Sequence, residues 1–161
     1  MAFLRPLMAC LLALAASVTL AHSTLSDITE GDEERVTLPV IPESKLLIHA
    51  TEGIDVSSAS GPVQSLPLAI FLTRKSPEEV TAWYQKALPD FITITDTTGE
   101  QIQILQHVKT GTAVDDPETY LTPNIRIRPT DARMATHMKG AETVVQIFYP
   151  PESDADGDGG S

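Results

Sequence analysis

The chain has 161 residues and carries 22 acidic against 11 basic side chains, a formal net charge of −11. That balance argues against nucleic acid, whose phosphates are met by Lys and Arg, and against anionic lipid headgroups. A single cysteine, Cys10, excludes an intramolecular disulfide, so the fold must rest on apolar burial.

The N-terminus opens with Met-Ala-Phe-Leu-Arg, one positive charge at Arg5, and runs on as an apolar stretch from Leu7 to Leu20 that ends in Thr19-Leu20-Ala21. A charged start, an apolar run and a small-residue site predict a secretory signal over residues 1–21, cleaved after Ala21 to leave His22 at the new terminus. The run is shorter than the roughly 20 residues needed to span a bilayer, so no membrane insertion is expected once the signal is removed. Leu7-Met8-Ala9-Cys10 resembles a lipobox, but a lipoprotein cysteine follows its apolar run and most of this run comes after Cys10. An ordinary cysteine within the signal is the simpler reading, and whether Cys10 is lipidated stays open. Loss of the signal removes Cys10, and with it thiol catalysis, iron–sulfur ligation and thiolate zinc sites.

Ser26 to Arg35 (SDITEGDEER) and Pro151 to Ser161 (PESDADGDGGS) are acidic and almost free of large apolar residues. Neither buries enough surface to offset the entropy of ordering it, so residues 22–35 and 151–161 are expected to be disordered flanks of one domain over 36–150.

Within that domain Leu46 to Ala50 reads as a strand, and so does Leu66 to Arg74, buried at Leu68, Ile70 and Leu72. The clearest element follows. Ser76-Pro77-Glu78-Glu79 combines an N-cap serine, a proline at the first helical position and a glutamate three residues after the cap. Val80, Trp83, Tyr84, Ala87 and Leu88 then recur at helical spacing as one apolar stripe, and Pro89 stops the helix. Phe91 to Thr95 and Ile102 to Val108 alternate around a glycine-containing turn and predict a hairpin. Asp116-Pro117-Glu118 begins a single helical turn within 115–121, Asn124 to Arg128 and Thr143 to Tyr149 add strands, and Asp131 to Lys139 is ambiguous between a short helix and a loop. One amphipathic helix lying on an antiparallel sheet is the expected α+β architecture, with Trp83 and Tyr84 anchoring the contact.

The segment Ser76 to Leu88 (SPEEVTAWYQKAL), with the ending Gly140 to Tyr149 (GAETVVQIFY), resembles a unit of poorly characterised bacterial exported proteins in which an "SPEEV…[WF]Y…L" helix precedes a sheet finishing in a similar strand. The resemblance covers Leu66 to Tyr149 and rests on helix-capping and core residues. It implies an envelope setting and carries no catalytic residues across.

Many signatures of chemistry are missing: no nucleophile elbow, no His-Glu-x-x-His, no phosphate-cradling glycine loop and no Cys-x-x-Cys. No catalytic residue, metal ligand set or cofactor is predicted. His49, His107 and His137 lie far apart in sequence, without metal-ligand spacing, and each reads first as a structural residue. Asp154-Ala155-Asp156-Gly157-Asp158-Gly159 matches the opening of a calcium loop, yet the acid needed at position 12 falls past Ser161, so a solvated acidic tail is expected. Arg126 and Arg128 alternate with Ile125 and Ile127 and should project from one sheet face, with Arg133 close behind; these three are the candidate ligand-binding residues, for a carboxylate or phosphate. The bland alternative pairs them with acids of the same sheet, such as Glu142.

The leading expectation is therefore an exported, non-catalytic binding domain of the bacterial envelope, periplasmic or else released to the medium, that engages another envelope protein through a sheet face or edge. Two alternatives stand beside it. One is a small hydrolase using a histidine and a carboxylate brought together by folding; the other is a binder of small anions on the arginine face.

Overall fold

A computed structural model describes residues 32–58, 61–114 and 116–151. The signal expected over 1–21, residues 22–31 of the acidic segment and the calcium-loop-like tail lie outside these residues. In chain order the strands and helix are β1 (Lys45–Ala50), β2 (Asp55–Ser58), β3 (Gly61–Gln64), β4 (Leu68–Thr73), α1 (Pro77–Ala87), β5 (Ile92–Thr95), β6 (Ile102–Leu105), β7 (Asn124–Pro129) and β8 (Thr143–Phe148). Short 3₁₀ turns occupy Asp32–Arg35, Pro117–Leu121 and Met134–His137. Six strands form one sheet in the order β1-β4-β8-β7-β6-β5, antiparallel throughout, and β2 pairs with β3 as a separate hairpin.

The helix begins where the sequence places it. The Ser76 hydroxyl accepts from the Glu79 N–H at 3.3 Å, the Glu79 carboxylate accepts from the Ser76 N–H at 2.9 Å, and Pro77 occupies the first turn. Two backbone donors that the helix itself cannot satisfy are thus paired. Val80 and Tyr84 are fully buried against the sheet, Trp83 and Leu88 partly so, and the two aromatic rings meet edge to face at 4.7 Å. The Leu88 N–H still reaches the Tyr84 carbonyl at 2.8 Å, and Pro89 follows. Burying each large apolar side chain of this stripe contributes roughly 1.5–3 kcal/mol.

Both faces of the sheet are covered. Ala69, Phe71, Ile104, Ile125, Ile127, Val145 and Ile147 face α1 and the N-terminal segment, which adds Val36 and Ile41. On the other face Leu68, Ile70, Leu72, Val144 and Phe148 pack against Tyr120, Met134 and Met138 from the loops between β6 and β7 and between β7 and β8. This second layer is why all six residues of β4 are buried, where the sequence pattern picked out three.

The ordered chain also starts earlier than composition suggests. Asp32–Arg35 form a 3₁₀ turn and Asp32 is buried, although it lies in an acidic run expected to be unstructured up to Arg35. Val36 and Ile41 bring this segment onto the core, and a buried histidine on β1 lies beside Asp32. The β2–β3 hairpin, which the sequence pattern leaves unassigned, hangs from a turn at Gly53. There φ is +79°, and a Cβ would collide with the Ser65 carbonyl oxygen.

Candidate functional site

Three features could carry function: the arginine face, a histidine-centred cluster, and the open edges of the sheet. Arg126 lies on β7 on the side away from α1, but its guanidinium is largely buried. It is 8% exposed, donates to the Tyr120 hydroxyl at 2.8 Å and the Thr119 hydroxyl at 2.7 Å, and lies 3.8 Å from the Tyr120 ring centroid. With its oxygen turned towards the guanidinium, the Gln103 amide accepts from Arg126 Nε and Nη2 at 3.0 and 3.2 Å and donates to the Val114 carbonyl at 2.8 Å. Asn124 extends this network, its Nδ2 donating to the Thr119 and Thr122 carbonyls at 2.7 and 2.8 Å. Arg126 is therefore a clamp that holds the loop before β7 onto the sheet.

The other two candidates lie apart from it. Arg128 is half-exposed, with Nη1 3.9 Å from the Asp131 carboxylate, so its acid is three residues on rather than across the sheet at Glu142. Arg133 sits exposed in the following turn, where its backbone N–H donates to the same Asp131 carboxylate at 2.9 Å. The backbone N–H groups of Met134 and Arg133, with Arg128 adding to them, hold the Asp131 carboxyl below the usual carboxylate range. Arg126 and Arg128 share one face of β7, with Arg133 in the turn beyond, yet Arg126 is buried while the other two reach solvent.

The histidine cluster was not legible from spacing. His49 lies on β1, paired with Ala69 of β4, and is 1% exposed. Its Nε2 is 2.6 Å from the Tyr149 hydroxyl, and its Nδ1 is 3.9 Å from the Asp32 carboxylate. Arg35 stands 4.0 Å from the other oxygen of that carboxylate. Burial lowers the His49 pKa below 6.5 and outweighs the opposing pull of Asp32. A carboxylate, an imidazole and a phenol thus stand in a row, and Tyr149 also borders a cleft of about 200 Å³ lined by Arg35, Thr51, Pro67 and Pro151. Only the His49–Tyr149 contact is within hydrogen-bond distance, the 3.9 Å to Asp32 being too long for one, and His49 itself does not line the cleft.

The remaining histidines stand elsewhere. His107 borders a shallow pocket of about 70 Å³ with Leu105, Lys109 and Glu118, the last two ion-paired at 2.7 Å. His137 closes the third 3₁₀ turn, and its carbonyl accepts from Lys45 Nζ at 2.9 Å. Among the described residues no group of three or more His, Cys, Asp or Glu side chains is placed to hold a metal ion.

The two edges of the large sheet differ in kind. At β1 the register slips between Leu46 and Ile48, a bulge, and Lys45 stands at its start. Both devices discourage a further strand. At β5 the pairing with β6 is regular from Ile92 opposite Leu105 to Thr95 opposite Ile102. Its sequence, Ile-Thr-Ile-Thr, has neither charge nor proline, Ile92 is 45% exposed, and no strand flanks its outer side among the described residues. Thr93 and Thr95 share the helix-facing side, where Gln85 of α1 donates to the Thr93 hydroxyl at 3.2 Å, while Ile92 and Ile94 share the other.

Comparison with known proteins finds no matching family model, no matching curated protein and no matching solved structure. Among the described residues no helix is long and apolar enough to cross a membrane. Function is therefore argued from the site alone.

Proposed function

We propose that residues 36–150 form an exported, non-catalytic binding domain of the bacterial envelope, and that it engages another polypeptide by accepting a strand at β5. The carrying observation is the contrast between the edges: β1 is blunted by Lys45 and a bulge, whereas β5 is regular, uncharged and β-branched. A row of outward backbone N–H and C=O groups on such an edge is a template for strand addition, and main-chain pairing to an exposed sheet edge is a recurring mode of peptide recognition. The leader-like residues 1–21 support delivery to the periplasm, with release to the medium as the alternative destination.

A photo-crosslinking amino acid at Thr95, on the β5 edge, tests the reading in intact envelopes, with the same probe at Lys45 on the opposite edge as control. A defined adduct that mass spectrometry identifies from the Thr95 probe and not from Lys45 is the expected result. Recovery of free monomer alone from both positions sinks the proposal.

One observation favours a second reading, a small hydrolase: Tyr149, at one end of the Asp32–His49–Tyr149 row, borders a cleft. The row's imidazole is buried and its Nε2 is occupied by Tyr149, which leaves no nitrogen facing a substrate in this conformation. Turnover of small esters by the wild-type chain, lost in His49→Gln with the fold intact, would establish it over strand addition.

A further inference from the structure

Resting on the strand-addition reading, we infer that the segment taken up by β5 is an extended peptide whose apolar or β-branched centre is bracketed at both ends by Lys or Arg. The centre follows from the side chains that an added strand would meet. Neighbours of Ile92 and Ile94 lie on an apolar strip, and neighbours of Thr93 and Thr95 lie on a hydroxyl-bearing strip beside Gln85. Four residues of β5 offer roughly 13 Å of ladder, enough for a short segment and no more.

The ends follow from charge. Asp90 lies two residues before β5, Asp96 follows it directly, and Glu100 stands in the same turn that joins β5 to β6. Asp96 stays ionised, its carboxyl held below the usual range by the Thr98 hydroxyl and by backbone N–H groups of the turn. The nearest cations in sequence are Lys86, in the last turn of α1, and Lys109, which is paired with Glu118. With an acid beyond each end of β5, a parallel and an antiparallel guest both meet carboxylates at both ends. A basic bracket on each side is favoured whichever way the guest runs.

The same charges disfavour a second copy of this chain as the guest. Antiparallel self-pairing centred on Ile94 sets Ile92 opposite the other copy's Asp96, and centred on Thr93 it sets Asp90 opposite Asp96. The first wastes the apolar contact and the second opposes like charges, a destabilising arrangement. Each copy also carries a formal −11, which adds general repulsion.

Two end-blocked synthetic peptides test this on the full exported chain: Lys-Thr-Val-Thr-Val-Thr-Lys and the same sequence with Glu for both Lys. Calorimetric titration should show the Lys-flanked peptide binding about 5- to 25-fold tighter, taking up to about fivefold for each exposed ion pair. Asp90→Asn should weaken it about two- to fivefold, and salt raised from about 0.05 to about 0.5 M should narrow the gap between the peptides. Proline placed in turn at Ile92, Thr93, Ile94 and Thr95 locates the interface. Variants whose lost N–H faced outward keep their melting temperature and should lose both peptides. Equal binding of the two peptides, lost in those proline variants, overturns the basic bracket and leaves strand addition standing. Binding by neither peptide, or binding that survives in every natively folded proline variant, overturns both.

Discussion

His49 and Tyr149 stand 100 residues apart in the chain and meet through a buried contact of 2.6 Å between Nε2 and the phenol oxygen. If Tyr149 donates to Nε2, the remaining proton of a neutral imidazole sits on Nδ1, on the side of the Asp32 carboxylate 3.9 Å away. The His49–Tyr149 contact ties the edge strand β1 to the end of β8, and the first described turn approaches it through the Asp32 carboxylate.

This arrangement sets a pH dependence. The groups facing His49 are Asp32, which favours its charged form, Arg35, which opposes it, and Tyr149; burial is the largest influence and lowers the pKa below 6.5. The stability that neutral His49 contributes is complete above the unfolded value of about 6.5 and is lost as pH falls through the lower folded value. Thermal melting between about pH 7.5 and about pH 5 should therefore show a fall that begins below about 6.5 in the wild-type chain and is flattened in His49→Gln. The lowered carboxyls of Asp96 and Asp131 act in a more acidic window and do not blur the comparison. Equal slopes for the two proteins would remove His49 as the cause.

Two buried tyrosines should respond oppositely to loss of the hydroxyl. Tyr149→Phe strips His49 Nε2 of its partner inside the protein and is expected to cost about 1–3 kcal/mol. The Tyr84 hydroxyl is fully buried with no hydrogen bond of good geometry, and burial pushes its pKa far above the ordinary phenol value. Tyr84→Phe removes a desolvated group and keeps the ring against the sheet, so stability should change by less than about 0.5 kcal/mol or rise. Urea unfolding of both variants checks the pair, and a larger loss for Tyr84→Phe would reverse the assignment.

How far the sequence foretold all this depends on the range of the interaction. Ser76, Pro77 and Glu79 fix a helix start through contacts three residues apart, and the period of Val80, Tyr84 and Leu88 fixes its buried side, so α1 was legible almost to the residue. The β5–β6 hairpin was legible from alternation around its turn, although β6 ends at Leu105 rather than Val108, and β7 and β8 were placed close to their observed bounds. The β2–β3 hairpin was not: Val56 and Val63 are the only large apolar residues of its two strands, and Pro62 interrupts the pattern. Arg126 showed its face but not its cover, because Tyr120 and Thr119 reach it through a loop rather than a periodic element. Asp32 sat hidden in an acidic run, and its burial depends on a histidine that only folding brings beside it.

Glycine at position 53 has a role that its neighbours in sequence do not announce. Gly53 and Gly99 share nearly the same backbone angle, +79° and +78°, but a Cβ at 53 meets the Ser65 carbonyl whereas one at 99 meets open space. Gly99→Ala should cost about 1 kcal/mol from the left-handed conformation alone. Gly53→Ala adds a backbone collision at the root of the β2–β3 hairpin and should cost at least about 2 kcal/mol more, with the added loss visible as faster amide exchange over residues 54–65. Equal costs at the two sites would show that the turn at 53 yields without strain.

Arg126 offers the sharpest separation of a structural from a ligand-binding role. Its planar guanidinium serves Tyr120, Thr119 and Gln103 at once while stacking on an aromatic ring, which a lysine ammonium cannot reproduce. As a clamp, Arg126→Lys should destabilise the fold by about 2–4 kcal/mol, because several buried acceptors lose their donor together. Exchange protection should then fall first over residues 116–124, the segment the clamp holds, while α1 keeps its protection. Arg128→Lys and Arg133→Lys, both solvent-facing, should each shift stability by less than about 0.5 kcal/mol. A clamp also predicts that added phosphate stabilises the wild-type chain no more than it stabilises Arg126→Lys. A phosphate-dependent rise in melting temperature confined to the wild type would instead mean that the guanidinium turns outward to an anion.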